Sequence, residues 1–115
     1  MLNLCLLERI GTGDAMVMGR LTTHVLDTAR GKPAAGVKIL LYRISGQSHR
    51  KIAEAVTNAD GRTDAPMLEG KALTAGAYEL VFCAGAYLRA SGQAPAEGQL
   101  FLDEIPIRFG IADPA

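Results

Sequence analysis

Glycine and proline interrupt this sequence at intervals too short for long helices, and that spacing limits its fold more than any other feature. Runs typical of β strands, such as VKILLYRI (37–44) and AYELVFCAG (77–85), alternate with turn-forming stretches such as ARGKPAAG (29–36) and NADGR (58–62). Short strands joined by glycine-rich turns are typical of two antiparallel sheets packed face to face. We therefore predict an all-β antiparallel sandwich in which AYLRA (86–90) forms one short helix.

Other segments complete this pattern. RLTTHVLDT (20–28), KIAEAVTN (51–58) and FLDEIPIRFG (101–110) are further predicted strands, and SGQSHR (45–50) is a predicted loop. Pro106 cannot donate to a sheet ladder, so it belongs at an edge or an end of its strand. The nearly continuous apolar run in VKILLYRI predicts burial on both of its faces.

Composition excludes several functional classes. A chain of 115 residues fits one domain, and its 12 basic and 12 acidic side chains cancel, so no long-range field attracts nucleic acid or an anionic membrane. No apolar run reaches the eighteen or so residues that span a bilayer. The two cysteines are far apart and no histidine lies at a ligand-like interval from them, so we expect no metal site. We expect reduced thiols and a cytoplasmic location.

The first seventeen residues differ in character from the rest. LNLCLL (2–7) is shorter than a signal-peptide core, lacks a basic flank and is followed at once by Glu8 and Arg9. Met18 opens MGRLTTHVLD and is itself a candidate start. We expect 1–17 to be a non-native or disordered extension and 18–115 to be the folded domain; the alternative for 1–17 is a short docking helix.

Four segments together resemble one family: LTTHVLDTARGKPAAGVKILLYR (21–43), TNADGRTDAPML (57–68), GAYELVFCAGAYL (76–88) and FLDEIPIRFGI (101–111). From about Gly19 to the end, the chain is similar to the transthyretin-like 5-hydroxyisourate hydrolases of urate catabolism. The resemblance implies a transthyretin-like β-sandwich that forms a homotetramer. It also implies hydrolysis of 5-hydroxyisourate, a small molecule, to 2-oxo-4-hydroxy-4-carboxy-5-ureidoimidazoline, with neither metal nor cofactor.

The same resemblance assigns two site residues. His24, in HVLD, matches the family's first motif histidine, and an unperturbed imidazole titrates near pH 6.5, so it can accept a proton from an attacking water. Arg62, in DGR, matches the family's substrate-binding arginine, and a guanidinium is a planar, permanently charged donor suited to an oxygen-rich heterocycle. We predict that His24 is catalytic and that His24 and Arg62 bind the substrate.

Each of these residues also has a simpler interpretation. A lone strand histidine is more often a half-buried structural residue, and an arginine after Asp-Gly is more often a solvated turn residue. Arg43 and Arg108 flank strands and match no substrate position. We expect His49 to be an exposed loop histidine and Asp27 an exposed or turn-stabilising carboxylate.

The sequence departs from the family pattern at its end. Family members continue beyond a segment like IPIRFGI into a third motif histidine, two further strands and a terminal Tyr-Arg-Gly-Ser, whereas this sequence stops at ADPA. We expect the sandwich to lack its last two strands and to leave an open edge beside the strand of His24. The alternative to an active hydrolase is a non-catalytic transthyretin-like binding module or an inactive remnant.

Overall fold

The computed structural model describes the backbone of residues 2–5 and the whole of residues 20–112. These residues form nine strands, a 3₁₀ helix and one α helix. In chain order they are β1 (Leu2–Cys5), β2 (Arg20–Leu21), β3 (His24–Asp27), β4 (Lys32–Pro33), β5 (Lys38–Ser45), β6 (Ser48–Val56), β7 (Leu68–Glu69), the 3₁₀ helix (Gly70–Ala72), β8 (Gly76–Cys83), α1 (Ala84–Ala90) and β9 (Glu104–Ile111).

The largest sheet is antiparallel, with strand order β6-β5-β8-β9. Ser45 pairs with Ser48, so β5 and β6 are joined by the two residues Gly46 and Gln47, and Gly46 has the positive φ of 59° that such tight hairpins favour. The prediction of a six-residue loop at 45–50 is wrong, because β6 begins immediately after this turn. The antiparallel arrangement and the single short α helix among the described residues agree with the fold predicted from the sequence.

Burial alternates along the central strands. Ile39 and Leu41 of β5 are fully buried, whereas Leu40 and Tyr42 are half-buried. Alternation is the normal result when one face of a sheet packs on a core and the other faces solvent. Our expectation that this run is buried on both faces is therefore wrong. The inward side chains of β5 and β8 form the core with those of the smaller sheets: Leu21, Val25, Ile39, Leu41, Tyr78, Leu80 and Phe82.

Two small sheets cover this core, with strand orders β1-β3-β4 and β2-β7. β1 runs antiparallel to β3, with Leu2 opposite Asp27 and Cys5 opposite His24. We expected an open edge beside β3; the structure corrects this, because β1 supplies backbone partners there. Four residues of the segment assigned to an extension thus lie in a sheet, and the rest of 1–17 falls outside the described residues.

Asp27 is a buried residue of β3 that is hydrogen-bonded to α1. Its side chain is 1% exposed, its Oδ2 accepts hydrogen bonds from Tyr87 Oη at 2.6 Å and Gln93 Nε2 at 2.8 Å, and its Oδ1 accepts one from the backbone N–H of Arg30 at 3.2 Å. It does stabilise a turn, but it is not exposed. Burial raises the pKa of Asp27, but the three hydrogen bonds outweigh that effect and the net pKa is lowered.

Within the described part of the chain, no helix is long and apolar enough to cross a membrane.

The lowered pKa of Asp27 predicts a pH-dependent contribution to stability. The carboxylate stabilises the fold above its unfolded pKa, about 3.9, and this stabilisation is lost as pH falls from there through the folded pKa. Asp27→Asn should lower the free energy of unfolding at pH 7 by about 1.5–3 kcal/mol, since it weakens hydrogen bonds to a charged group. Urea unfolding at pH 7 and pH 3 measures the difference.

Glu54→Gln is the matched control, because Glu54 is an exposed carboxylate whose pKa is lowered by its contacts with Lys51 and Lys38. Solvent and salt weaken such surface pairs, so this variant should unfold much like the parent. An Asp27→Asn deficit of equal size at both pH values would contradict the linkage.

Candidate functional site

The Asn58–Arg62 turn is built by its own polar groups. Asn58 Oδ1 accepts hydrogen bonds from the backbone N–H groups of Asp60 at 2.9 Å and Arg62 at 3.2 Å, and the backbone N–H of Gly61 donates to the carbonyl of Asn58 at 2.9 Å. This is the local pattern that makes Asn, Asp and Gly favourable in turns. Gly61 has φ of 77°, a region that residues with a Cβ rarely adopt. The turn predicted from NADGR is therefore present.

This turn is pressed against β3. The N–H of Val25 donates to the carbonyl of Gly61 at 2.8 Å, and His24 and Arg62 form an antiparallel bridge. A Cβ at position 61 would overlap with the carbonyl oxygen of Val25. Glycine thus serves two purposes here: it adopts the positive φ, and it lets the turn approach the strand closely.

His24 is half-buried, and its ring has a fixed orientation. Nε2 lies 2.9 Å from the carbonyl oxygen of Asp60. A carbonyl oxygen only accepts, so Nε2 carries the proton of this hydrogen bond, and in the neutral ring the lone pair is on Nδ1. The ring is therefore not enclosed by apolar side chains, and Nδ1 is the nitrogen able to accept a proton.

Arg62 lies beside His24 on the same face. Residues opposite each other in an antiparallel bridge direct their side chains to the same side of the sheet, with Cβ atoms about 4.5–5.5 Å apart. Arg62 is exposed and lines a cleft of about 220 Å³ together with Arg20, Thr22, Thr23, Thr63 and Asp64, among others. His24 is bridged to Arg62, which lines this cleft, but is not itself one of the lining residues.

Arg43, Arg108 and the second histidine lie outside this cleft. Arg43 donates to Thr74 Oγ1 and to the Ala75 carbonyl, both at 2.8 Å, and its guanidinium lies 4.8 Å from the centre of the Tyr78 ring. Arg108 contacts Glu79 at 3.2 Å and donates to Nε2 of His49 at 3.1 Å. His49 is exposed as predicted, but it lies in β6 and not in a loop.

Among residues 20–112, no group of three or more His, Cys, Asp or Glu side chains is placed to hold a metal ion. Cys83 is half-buried, and burial raises the pKa of its thiol, which disfavours a reactive thiolate.

The model of the HIUase/transthyretin family matches residues 21–115. The chain belongs to this family. Within it, the 5-hydroxyisourate hydrolase of Mesorhizobium japonicum is 58% identical over 95 residues, which cover 83% of this chain and 76% of the relative. The family membership and the transthyretin-like fold expected from the sequence are thereby confirmed.

Solved structures similar to this chain include both 5-hydroxyisourate hydrolases and transthyretins. The 5-hydroxyisourate hydrolase of Klebsiella pneumoniae has a TM-score of 0.63 and 33% identity, with 78% of this chain and 75% of that chain covered. The transthyretin of Sparus aurata has a TM-score of 0.65 and 25% identity, with 75% and 70% covered. Backbone similarity does not separate the two, whereas sequence identity is higher to the hydrolases.

A glycine pair tests how closely the turn must approach β3. Gly36 has φ of 82°, and a Cβ added there would have nothing within 4 Å, whereas a Cβ at Gly61 would meet the Val25 carbonyl. Gly36→Ala should therefore lower the free energy of unfolding by only about 1–2 kcal/mol, the cost of a positive φ for a residue with a Cβ. Gly61→Ala should cost roughly 1–3 kcal/mol more because of the overlap.

Urea unfolding of both variants measures these costs. Equal destabilisation by Gly36→Ala and Gly61→Ala would show that the turn does not need its close contact with β3.

Proposed function

We propose that this chain hydrolyses 5-hydroxyisourate to 2-oxo-4-hydroxy-4-carboxy-5-ureidoimidazoline in urate catabolism. The observation that carries the proposal is the bridge between His24 and Arg62, which puts an imidazole and a guanidinium side by side on one face. Its family membership and its 58% identity to a relative named 5-hydroxyisourate hydrolase support the same reaction. The enzyme is a cyclic amide hydrolase.

His24 is the proposed general base, acting through Nδ1. The oxygen of a water molecule bonds to the ring carbonyl carbon of the substrate while a proton of that water passes to Nδ1. When the tetrahedral intermediate collapses, the C–N bond breaks and the imidazolium returns a proton to the leaving nitrogen. The hydrogen bond from Nε2 to Asp60 holds the ring in place, because that nitrogen keeps its proton throughout. Such assistance is worth roughly 10²–10⁴-fold in rate.

Arg62 is the proposed substrate-binding residue. Its guanidinium presents a planar, charged set of N–H donors to the oxygens of the heterocycle. The same donors stabilise the negative charge that develops on the carbonyl oxygen as water attacks. Because Arg62 is exposed at a cleft next to His24, a bound heterocycle can contact both side chains.

Assembly into a homotetramer in the cytoplasm is part of the same proposal. Phe101 is 99% exposed and Leu102 is 44% exposed, and large apolar side chains left in water favour burial between subunits. The free thiol of Cys83 suits a reducing compartment.

His24→Ala should lower kcat by roughly 10²–10⁴-fold, since the general base is removed, with little change in unfolding free energy beyond one lost hydrogen bond. Arg62→Ala should lower kcat/KM by a similar factor, and Arg62→Lys should recover only part of it, because an ammonium lacks the planar fork. The decay of freshly generated 5-hydroxyisourate, followed by its ultraviolet absorbance, measures both.

His49→Ala and Arg50→Ala are the matched controls. They remove a histidine and an arginine from β6, outside the cleft, and should leave turnover as in the parent. Parental turnover in His24→Ala or Arg62→Ala would remove that residue from the mechanism, and a parent chain that binds small anions without any turnover would favour the non-catalytic binding module.

A further inference from the structure

Arg20, in β2, lies on the same side of the chain as Thr22 and His24, the first residue of β3. From residue 20 to residue 27, half-buried and buried side chains alternate without a break, with Arg20, Thr22, His24 and Leu26 half-buried. Side chains at alternate positions of an extended chain share one face. At about 3.3 Å per residue, the Cα atoms of Arg20 and His24 are up to roughly 13 Å apart, so Arg20 lies toward the opposite end of the site from the proposed base.

One nitrogen of the Arg20 guanidinium is buried without a protein acceptor. Its Nε is a buried side-chain nitrogen for which the described residues provide no hydrogen-bond partner. Buried charged donors are costly unless an acceptor satisfies them. Since Arg20 lines the same cleft as Arg62, an acceptor on a bound ligand can supply the missing partner.

The charge of the cleft favours an anion. Its lining includes two guanidinium groups, from Arg20 and Arg62, and one carboxylate, from Asp64. Asp64 Oδ1 already accepts a hydrogen bond from Asn58 Nδ2 at 3.0 Å, which holds this carboxylate on the turn. A volume of about 220 Å³ lies below the roughly 300–1,000 Å³ of pockets for drug-sized ligands, so the ligand is compact.

We propose that Arg20 is a second substrate-binding arginine, which pairs with an anionic oxygen of the planar heterocycle at the end of the cleft away from His24. This inference rests on the proposed function for the identity of the heterocycle, but the binding of a planar purine anion by Arg20 can be tested without turnover. Arg20 contributes binding common to the ground state and the transition state, so its loss raises KM and leaves kcat nearly unchanged.

Urate, a planar anionic purine that is not hydrolysed, is the probe, and isothermal titration calorimetry on the full chain is the measurement. Arg20→Gln should weaken urate binding about tenfold or more, because a hydrogen bond to a charged group is lost. Arg20→Lys, which keeps the charge and most of the stem, should fall between Arg20→Gln and the parent. Arg50→Gln makes the same charge change on β6 and should bind urate as the parent does.

The outcomes separate this inference from the proposed function. Absence of urate binding to the parent overturns the role of Arg20. Equal urate affinity in Arg20→Gln and Arg50→Gln also overturns it, as does an Arg20→Gln variant whose melting temperature changes while its urate affinity does not. With 5-hydroxyisourate, a raised KM at unchanged kcat in Arg20→Gln supports the role, and a lowered kcat at unchanged KM overturns it. A parent that binds urate through Arg20 but never hydrolyses 5-hydroxyisourate refutes the hydrolase and leaves the anion site in place.

Discussion

Two backbone carbonyls of the Asn58–Arg62 turn hold the site together. The carbonyl of Gly61 accepts from the N–H of Val25 at 2.8 Å, and the carbonyl of Asp60 accepts from Nε2 of His24 at 2.9 Å. The first bond fixes the turn against β3, and the second fixes the imidazole and its tautomer. Both depend on glycine at position 61, and together they bring Arg62 opposite His24.

The strand under this turn serves the core and the site at once. Val25 and Asp27 point inward, one into the apolar core and the other to Tyr87 and Gln93, while His24 faces the opposite side. Anchoring the inner side chains immobilises the backbone that carries the outer one, so little conformational freedom is left to lose when substrate binds. Stability and proposed function are therefore coupled through this one strand.

Local patterns in the sequence predicted most of the strands and the Asp-Gly turn, and the family resemblance supplied the proposed roles of His24 and Arg62. The sequence did not predict the contacts that give those residues their geometry, because partners 36, 60 and 66 positions apart leave no periodic signal. Three further features also went unpredicted because they depend on contacts between distant residues: the burial of Asp27, the unpaired Nε of Arg20 and the position of His49 in a strand. The alternation of burial across residues 20–27 is hidden in the sequence, because Thr23 and Asp27 are buried whereas Leu26 is only half-buried. The prediction of an extended segment over 20–28 could still have placed Arg20 on the side of His24, since the two are four positions apart.

The tautomer of His24 tests the central claim most directly, and nitrogen-15 NMR of the ring nitrogens at a pH where both histidines are neutral measures it. We expect His24 to carry its proton on Nε2 and to have a pyridine-like Nδ1. His49, whose Nε2 accepts from Arg108, has the opposite tautomer and is an internal reference. A protonated Nδ1 on His24 would contradict the account, because the carbonyl of Asp60 would then not hold the ring and the proposed base would already bear its proton.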